Sequence, residues 1–339
     1  MTDIAAQVKL LRDRFDAFHE RAHMTAITRE VSDVEARIKS LTPEIQKVRS
    51  RGYAFRSYLE QKADVLEKNW RDIQLRVHRA IQDEIENLRD DMDRTERRVR
   101  RMPDAADEAE IGGVTEWLDN LDHKLEAAEK RIQSMYQTLK SDTQNAFTQL
   151  HEVNWCLDQK DEASFDFLAG ESLFLAAKAE WVATGKDKQD PDGILYLTDQ
   201  RLIFEQKETT GKRLGMFGGK QEQEVEWELP LHQIEAVRAE NKGLFGGKDM
   251  LYFDTTSGQH RQITVEVKGG VDCKFWQQQI QRMISGDVAN ERAIQPDPEL
   301  IEQLRSAPTA CPVCGGTLPR IVAGQNQITC EYCGGVVRF

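Results

Sequence analysis

Two cysteine pairs near the end of this 339-residue sequence restrict its fold more than any other feature. Cys311 and Cys314 form one C-x-x-C pair, and Cys330 and Cys333 form a second pair after fifteen intervening residues. This spacing is typical of zinc sites in which four thiolates surround the ion as a tetrahedron. A glycine follows each pair, where a tight turn needs positive φ. The sequence therefore predicts Zn²⁺ bound by these four cysteines in a small ribbon, residues 307–339.

Iron and redox-active cysteines are the alternatives to zinc at this site. A redox C-x-x-C motif of the thioredoxin type needs a βαβ context, which the flanking sequence does not predict. Cys156 and Cys273 are isolated in predicted helices. After Cys311 the only basic residues are Arg320 and Arg338, so a ribbon that docks a protein is favoured over one that binds nucleic acid.

Residues 1–160 repeat apolar side chains with a period near 3.5, which is typical of a coiled-coil seam. A Met-Pro step followed by a Gly-Gly pair predicts that the chain reverses near 102–113. Residues 114–157 then fold back antiparallel along roughly 58–101. Pro43 is compatible with either a kink or a break in the preceding helix. The seam is the expected surface for a homo-oligomer or for protein partners.

The segment His19-Glu20-Arg21-Ala22-His23 matches the zinc-protease motif H-E-x-x-H. That motif places two imidazoles on one helical face beside a general base. A metallohydrolase of this kind also needs a neighbouring sheet and a third ligand, whereas a coiled coil follows here. Two solvated histidines on an amphipathic helix are the favoured interpretation, and we expect no enzymatic activity.

From about residue 165 the apolar period changes from helical to alternating, which is typical of β-strands. Turn-forming residues separate seven candidate strands. These are Leu173–Val182, Ile194–Thr198, Arg201–Gln206, Glu224–Leu229, Ile234–Ala239, Met250–Thr255 and Gln262–Val267. A short helix follows, with Cys273, Trp276, Ile280 and Met283 on one face. The pattern predicts a seven-stranded barrel closed by a C-terminal helix over residues 165–286.

Two stretches of this region resemble a known family. The segment GILYLTDQRLIF (193–204) is similar to the G-x-L-x-L-T-x-x-R-L-x-F hairpin of GRAM and bacterial pleckstrin-homology (PH) domains. The segment LPLHQIEAV (229–237) resembles the strand that follows it, and the helix around Phe275-Trp276 fits the family's closing helix. The resemblance implies the PH fold, whose members bind phosphoinositides, other anionic lipids or proteins.

Two similar loops are candidate contact sites in this barrel, GMFGGK (215–220) and GLFGGK (243–248). Each places two large apolar residues between glycines, where they could enter a lipid headgroup layer beside basic side chains. The alternative is that the loops pack against protein, because residues 161–290 carry 15 basic and 22 acidic side chains. The candidate residues are Lys212, Arg213, Met216, Phe217 and Lys220 in the first loop, and Leu244, Phe245 and Lys248 in the second.

The sequence thus predicts a multidomain scaffold: a helical coiled coil (1–160), a PH/GRAM-like barrel (165–286), a linker (287–306) and a zinc ribbon. Residues 1–160, 161–290 and 291–339 carry net charges of -4, -7 and -1, which disfavours nucleic acid as a partner. The sequence shows no secretory signal and no apolar run of the length that spans a bilayer, so we expect a cytoplasmic protein, peripheral at the inner face of the membrane if the barrel binds lipid. A protein-interaction hub without a membrane role is the alternative.

Overall fold

In a computed structural model of the chain, residues 4–185, 189–210, 220–242, 247–256 and 260–338 are described. The chain divides into two compact units: Met1–Glu44 with Leu59–Gln149, and Ile45–Tyr58 with Leu150–Phe339. A helical region, an antiparallel seven-stranded sheet and a C-terminal cysteine cluster follow one another along the chain. This is the multidomain order that the sequence predicts.

Four long helices form the N-terminal region: α1 (Ile4–Ala22), α2 (Thr25–Ser50), α3 (Tyr58–Arg101) and α4 (Glu108–Asp161). The second of them continues through Pro43. The break comes instead at Gly52, whose φ of +85° is left-handed and suits a residue without Cβ. None of the described helices combines the length and the apolarity that a bilayer crossing requires.

Ion pairs show the direction of α4 against α3 in the first unit. Lys124 of α4 lies 2.5 Å from Asp91 of α3, and Arg131 pairs with Glu84. Residue numbers rise along one helix as they fall along the other. The two helices are therefore antiparallel, as the predicted reversal requires.

Helices α1 and α2 form a third layer of this unit, which the sequence pattern does not predict. Arg14 of α1 lies 2.6 Å from Asp122 of α4, and Lys140 of α4 lies 2.6 Å from Glu30 of α2. Both helices therefore run parallel to α4. Several seam residues are 0% exposed within the single chain, among them Val31, Val77, Leu118 and Leu125. The chain's own helices thus occupy the seam, and self-association stays a prediction.

Residues 51–57 form a corner that belongs to the second unit. The Arg49 guanidinium donates to the carbonyl oxygens of Tyr53 at 2.8 Å and Phe55 at 2.6 Å. The Tyr53 hydroxyl donates to the Phe174 carbonyl at 3.1 Å, and the Phe55 and Phe174 rings meet edge-on at 5.1 Å. The compact units therefore do not divide where the sequence period changes near residue 160.

The barrel consists of β1 (Leu173–Trp181), β2 (Asp192–Thr198), β3 (Arg201–Thr210), β4 (Lys220–Pro230), β5 (Ile234–Lys242), β6 (Lys248–Thr255) and β7 (Gln262–Val267). Their order in the sheet is β4-β3-β2-β1-β7-β6-β5, and every neighbouring pair is antiparallel. The hairpin of β3 and β4 extends further than predicted, because its outer half is polar and lacks the alternation that marks a half-buried strand.

Helix α5 (Cys273–Ser285) packs against β5 and β6. Asp272 caps its start by accepting from the Lys274 amide, and Gly286 ends it with a φ of +85°. The four residues predicted on its inner face, Cys273, Trp276, Ile280 and Met283, are all buried. Seven antiparallel strands followed by this helix confirm a PH-like fold.

Gly193 lies between β1 and β3 at a point where the backbones approach closely. It pairs with Ala179 on one side and Gln206 on the other. A Cβ on Gly193 would lie 2.0 Å from the Glu205 carbonyl oxygen. Only glycine fits this position of the hairpin.

Gly193→Ala is therefore expected to lower the free energy of unfolding by about 1–3 kcal/mol, since backbone must move to admit the methyl group. Gly247→Ala is the matched control in the same barrel, because a Cβ there meets no atom within 4 Å. Urea denaturation followed by tryptophan fluorescence measures both. Equal midpoints for the two variants would contradict the close approach.

The last part of the chain contains a 3-10 helix (Asp287–Glu291), helix α6 (Pro298–Ser306) and the strands β8 (Gln327–Thr329) and β9 (Val336–Arg338). The segment predicted as a linker is bonded to the corner at 51–57. The Ala293 amide donates to the Ala54 carbonyl at 2.7 Å, and the Ser57 amide donates to the Glu291 carbonyl at 2.9 Å. Backbone hydrogen bonds thus fix this segment in the second unit.

Candidate metal centre and recruitment loops

The four predicted cysteine ligands converge at the tips of two similar turns. Their sulfur atoms all lie within 4.8 Å of one another. The Sγ atoms of Cys311 and Cys333 are 3.7 Å apart, and those of Cys314 and Cys330 are 3.6 Å apart. Sulfurs at about 2.3 Å from a tetrahedral zinc ion would be about 3.8 Å apart. The four thiols therefore fit a zinc ion in both number and spacing.

Each turn is held by the same two backbone hydrogen bonds. In the first, the Cys311 amide donates to the Gly316 carbonyl at 2.7 Å and the Gly315 amide returns a bond to Cys311 at 2.8 Å. The second turn repeats both bonds between Cys330 and the glycines at 334 and 335. Gly315 and Gly334 have φ of +76° and +72°, as the sequence predicts.

The two turns also pack against each other across the sulfur cluster. A Cβ on Gly316 would lie 2.5 Å from the Tyr332 ring, and a Cβ on Gly335 would lie 3.7 Å from Val313. The glycines thus let each turn approach the side chain carried by the other. This contact leaves Val313 and Tyr332 on the surface, 77% and 73% exposed.

The thiols of the cluster differ in how readily they ionise. Backbone amides of Cys314 and then Val313 hydrogen-bond to Cys311 and lower the pKa of its thiol to about 7, and the thiolate is the form that binds a metal. Although the Gly316 amide bonds to Cys314, hydrogen bonding with Cys333 and burial raise the pKa of the Cys314 thiol to about 12. Outside the cluster, burial raises the pKa of the Cys156 and Cys273 thiols to about 11. Those two cysteines lie buried in α4 and α5 and take no part in the cluster.

Hydrogen bonds and an ion pair attach the ribbon to the barrel, which the sequence does not predict. The Ala169 amide donates to the Ile321 carbonyl at 2.9 Å, and the Ala323 amide donates to the Phe167 carbonyl at 2.8 Å. Arg320 of the ribbon also pairs with Glu228 of β4. An extended segment before β1 therefore pairs with the ribbon in the manner of a short sheet.

A buried charge network lies under this attachment. Arg201 donates to both oxygens of Glu171, at 2.9 and 3.0 Å, and it also pairs with Glu228. The side chain of Glu171 is 0% exposed and that of Arg201 is 6% exposed. The Thr198 hydroxyl and the Leu168 amide donate to Glu171 as well, at 2.7 and 2.6 Å. Arg201 belongs to the segment GILYLTDQRLIF, which carries the family resemblance. No sequence pattern predicts that Glu171 and Glu228 are its partners.

Most of the predicted loop residues lie outside the described residues, namely Lys212, Arg213, Met216, Phe217, Leu244 and Phe245. Lys220 begins β4 and Lys248 begins β6, where Lys248 lies 3.1 Å from Glu266. In the antiparallel order of the sheet, β3 and β5 run in opposite directions. The two loops are therefore flanked by strands of opposite direction, and contact through either loop stays a prediction.

The ribbon and the first loop lie at opposite ends of the β3–β4 hairpin. Thr210 pairs with Lys220 beside the loop, and Arg201 pairs with Pro230 beside the ribbon. The nine residue steps of β3 between these ends correspond to roughly 30 Å at 3.3 Å each. The strand ends that flank the first loop are therefore distant along the hairpin from the end beside the ribbon.

The H-E-x-x-H segment lacks a third ligand among the residues that the structure covers. His19 and Glu20 lie on α1, which ends at Ala22, and His23 follows that end. The His19 and His23 rings are 4.9 Å apart. The metal-type groups found in the described ranges are the cysteine cluster and Asp249 with Asp272 and Cys273.

No protein-family model matches the chain, and no curated protein is significantly similar to it. Solved structures are similar at low TM-scores. The N-terminal PH domain of Vps36 has 14% identity over 36% of this chain and 94% of that chain, at a TM-score of 0.25. A pleckstrin homology domain from Shewanella amazonensis SB2B has 22% identity over 39% and 97%, at 0.24. The DH/PH domains of PDZ-RhoGEF, solved in complex with activated RhoA, have 10% identity over 84% and 96%, at 0.27. Nothing further rests on these similarities.

Proposed function

We propose that this protein is a non-enzymatic adaptor, in which a zinc ribbon docks one protein partner while the PH-like barrel is recruited through the loop between β3 and β4. The observation that carries the proposal is the length of one hairpin. The strand ends that flank the loop, Thr210 and Lys220, lie at the other end of β3 and β4 from the ribbon, which supports an adaptor that holds two partners at once. The helical region adds a surface for further protein partners or for self-association.

The ribbon's docking surface consists of its exposed apolar side chains. Its small interior contains Leu318, Ile328 and Val337 beside two of the cysteines. Val313 and Tyr332 make no contribution to that interior and stand exposed on turns that the metal would make rigid. We infer that these exposed apolar side chains make a protein contact, since exposed apolar patches mark such sites.

Docking through the ribbon is tested with Val313→Ser combined with Tyr332→Ser. We expect this variant to keep its zinc, since neither residue is a ligand, and to lose proteins that crosslink to the wild-type ribbon in cells. Quantitative crosslinking mass spectrometry compares the two chains, with zinc content measured on the same samples. An unchanged set of ribbon crosslinks would contradict this part of the proposal.

The first loop is expected to contact either an anionic membrane or a protein, and vesicles separate the two. Met216→Ser with Phe217→Ser should abolish co-sedimentation with anionic vesicles while the melting temperature stays unchanged. Replacing Lys212, Arg213 and Lys220 with alanine should weaken binding by about 1 kcal/mol per residue at low salt. The matched control is Leu244→Ser with Phe245→Ser in the second loop, which we expect to keep binding because its flanking strand β5 runs opposite to β3.

Three outcomes would favour an alternative to the proposed adaptor. Wild-type protein that ignores anionic vesicles supports the hub without a membrane role. Loss of stability in the Met216 and Phe217 variant would mean that the loop packs on the barrel, since truncating a buried phenylalanine costs about 3–5 kcal/mol. Two zinc ions per chain instead of one would support the alternative hydrolase site at His19, Glu20 and His23.

A further inference from the structure

The end of the chain covers one end of the barrel. Ribbon residues 321–323 pair with residues 167–169 before β1. At Gly170 an added Cβ would lie 3.6 Å from a methyl of Leu304 and 4.0 Å from a methyl of Leu300, both on α6. Phe167, Leu168 and Ala169 are consequently only 6–9% exposed.

The docked ribbon also brings Arg320 to Glu228, which together with Glu171 contacts Arg201. Glu228 accepts from Arg201 of the barrel and from Arg320 of the ribbon through different oxygens. Arg201 in turn neutralises Glu171, whose side chain is fully buried. If the ribbon left, Arg320 would be withdrawn from Glu228, and the Ala169 amide and the Phe167 carbonyl would lose their hydrogen-bond partners in the ribbon.

The ribbon's own fold depends on the cysteine cluster. Two of the five buried residues of its core are Cys311 and Cys330, and Ile321 packs against that core. The residues that dock on the barrel, Arg320 to Ala323, are thus positioned by a core that the metal would organise. Such small metal domains are unfolded without their ion.

We propose that the ribbon is a zinc-dependent lid on this end of the barrel, and that docking and zinc binding are coupled through Arg320 and Glu228. The proposal rests on the zinc site described above. Because coupling between two equilibria is reciprocal, zinc tightens the docking by the same factor by which docking tightens zinc. The occupant of the covered surface is the chain's own segment 320–323, and metal loss exposes that surface.

The coupling predicts that a barrel substitution changes the zinc affinity of the ribbon. Glu228→Gln and Arg320→Ala should each weaken zinc binding about 10-fold, within the range usual for such coupling, although neither residue is a ligand. Arg338→Ala is the matched control, because Arg338 is exposed on β9 of the same ribbon. Competition with a chromogenic chelator measures the affinities of the full-length chains.

Hydrogen exchange gives a second readout on the wild-type chain. Chelation should accelerate exchange at the Ala169 and Ala323 amides at least 10-fold, while amides in the centre of β2 and β3 keep their protection. Unchanged zinc affinity in both variants, or unchanged exchange at Ala169 after zinc removal, overturns the lid. A chain that binds no zinc at all overturns the zinc site and the lid together, which distinguishes the two failures.

Discussion

Replacing Cys330 with serine is expected to abolish zinc binding and to unfold residues 307–338, while the N-terminal helical region and the barrel stay folded. Cys330 is 1% exposed and lies in the ribbon core, so the change removes a ligand and disturbs the packing at once. The apparent binding free energy of structural zinc is about 10–16 kcal/mol and is largely the folding free energy of such a domain. No other interaction in the ribbon is of that size.

Plasma emission spectrometry should find about one zinc per wild-type chain and none in Cys330→Ser. Cys156→Ala is the control, because it removes a buried thiol outside the cluster and should keep the metal. Iron in place of zinc would change the metal but not the ligands. Two disulfides among the four cysteines in protein purified under reducing conditions would reject the metal centre.

Arg201→Met is expected to lower the free energy of unfolding of the barrel by roughly 3–5 kcal/mol, since it leaves a buried carboxylate without its cation. Glu171 keeps only its bonds from the Thr198 hydroxyl and the Leu168 amide, and Glu228 keeps only Arg320. Replacing Glu171 with glutamine in the same chain should recover part of the loss, because it removes the buried charge.

Arg238→Met is the matched control for this effect. Arg238 lies 3.3 Å from Asp254 on the barrel surface, and its side chain is 63% exposed. Removing such an exposed pair typically changes stability by 0–1 kcal/mol. Urea denaturation of the three variants and the wild type measures the differences. Equal losses of unfolding free energy for Arg201→Met and Arg238→Met would mean that burial of the Arg201 network contributes nothing to the effect.

Local patterns were enough to predict most of the secondary structure. Alternation located all seven strands, and the helical period located the inner face of α5, because one face of each element must be buried. Of the helix breakers near 102–113, Met102-Pro103 lies between α3 and α4, whereas Gly112 and Gly113 lie within α4. The continuity of α2 through Pro43 could not be predicted, since a single residue of this kind biases a helix without deciding it.

The apolar seam of residues 1–160 shows where the sequence is ambiguous. Its period predicts that the face is buried but does not say which helix covers it. In the structure α1 and α2 supply the covering layer within the same chain, as the pairing of Arg14 with Asp122 and of Lys140 with Glu30 shows. A seam within one chain and a seam between chains have the same sequence pattern.

The sequence by itself determined the four-cysteine cluster, because the cysteines lie on two short turns whose geometry is fixed by cysteine and glycine spacing. Only the tertiary structure decided that the ribbon docks on the barrel, that Arg320 meets Glu228, and that Arg201 neutralises Glu171. These contacts join residues from about 30 to more than 150 positions apart. Single charged residues and an extended segment carry no spacing signal for such contacts, since their partners are chosen by the packing of the whole unit.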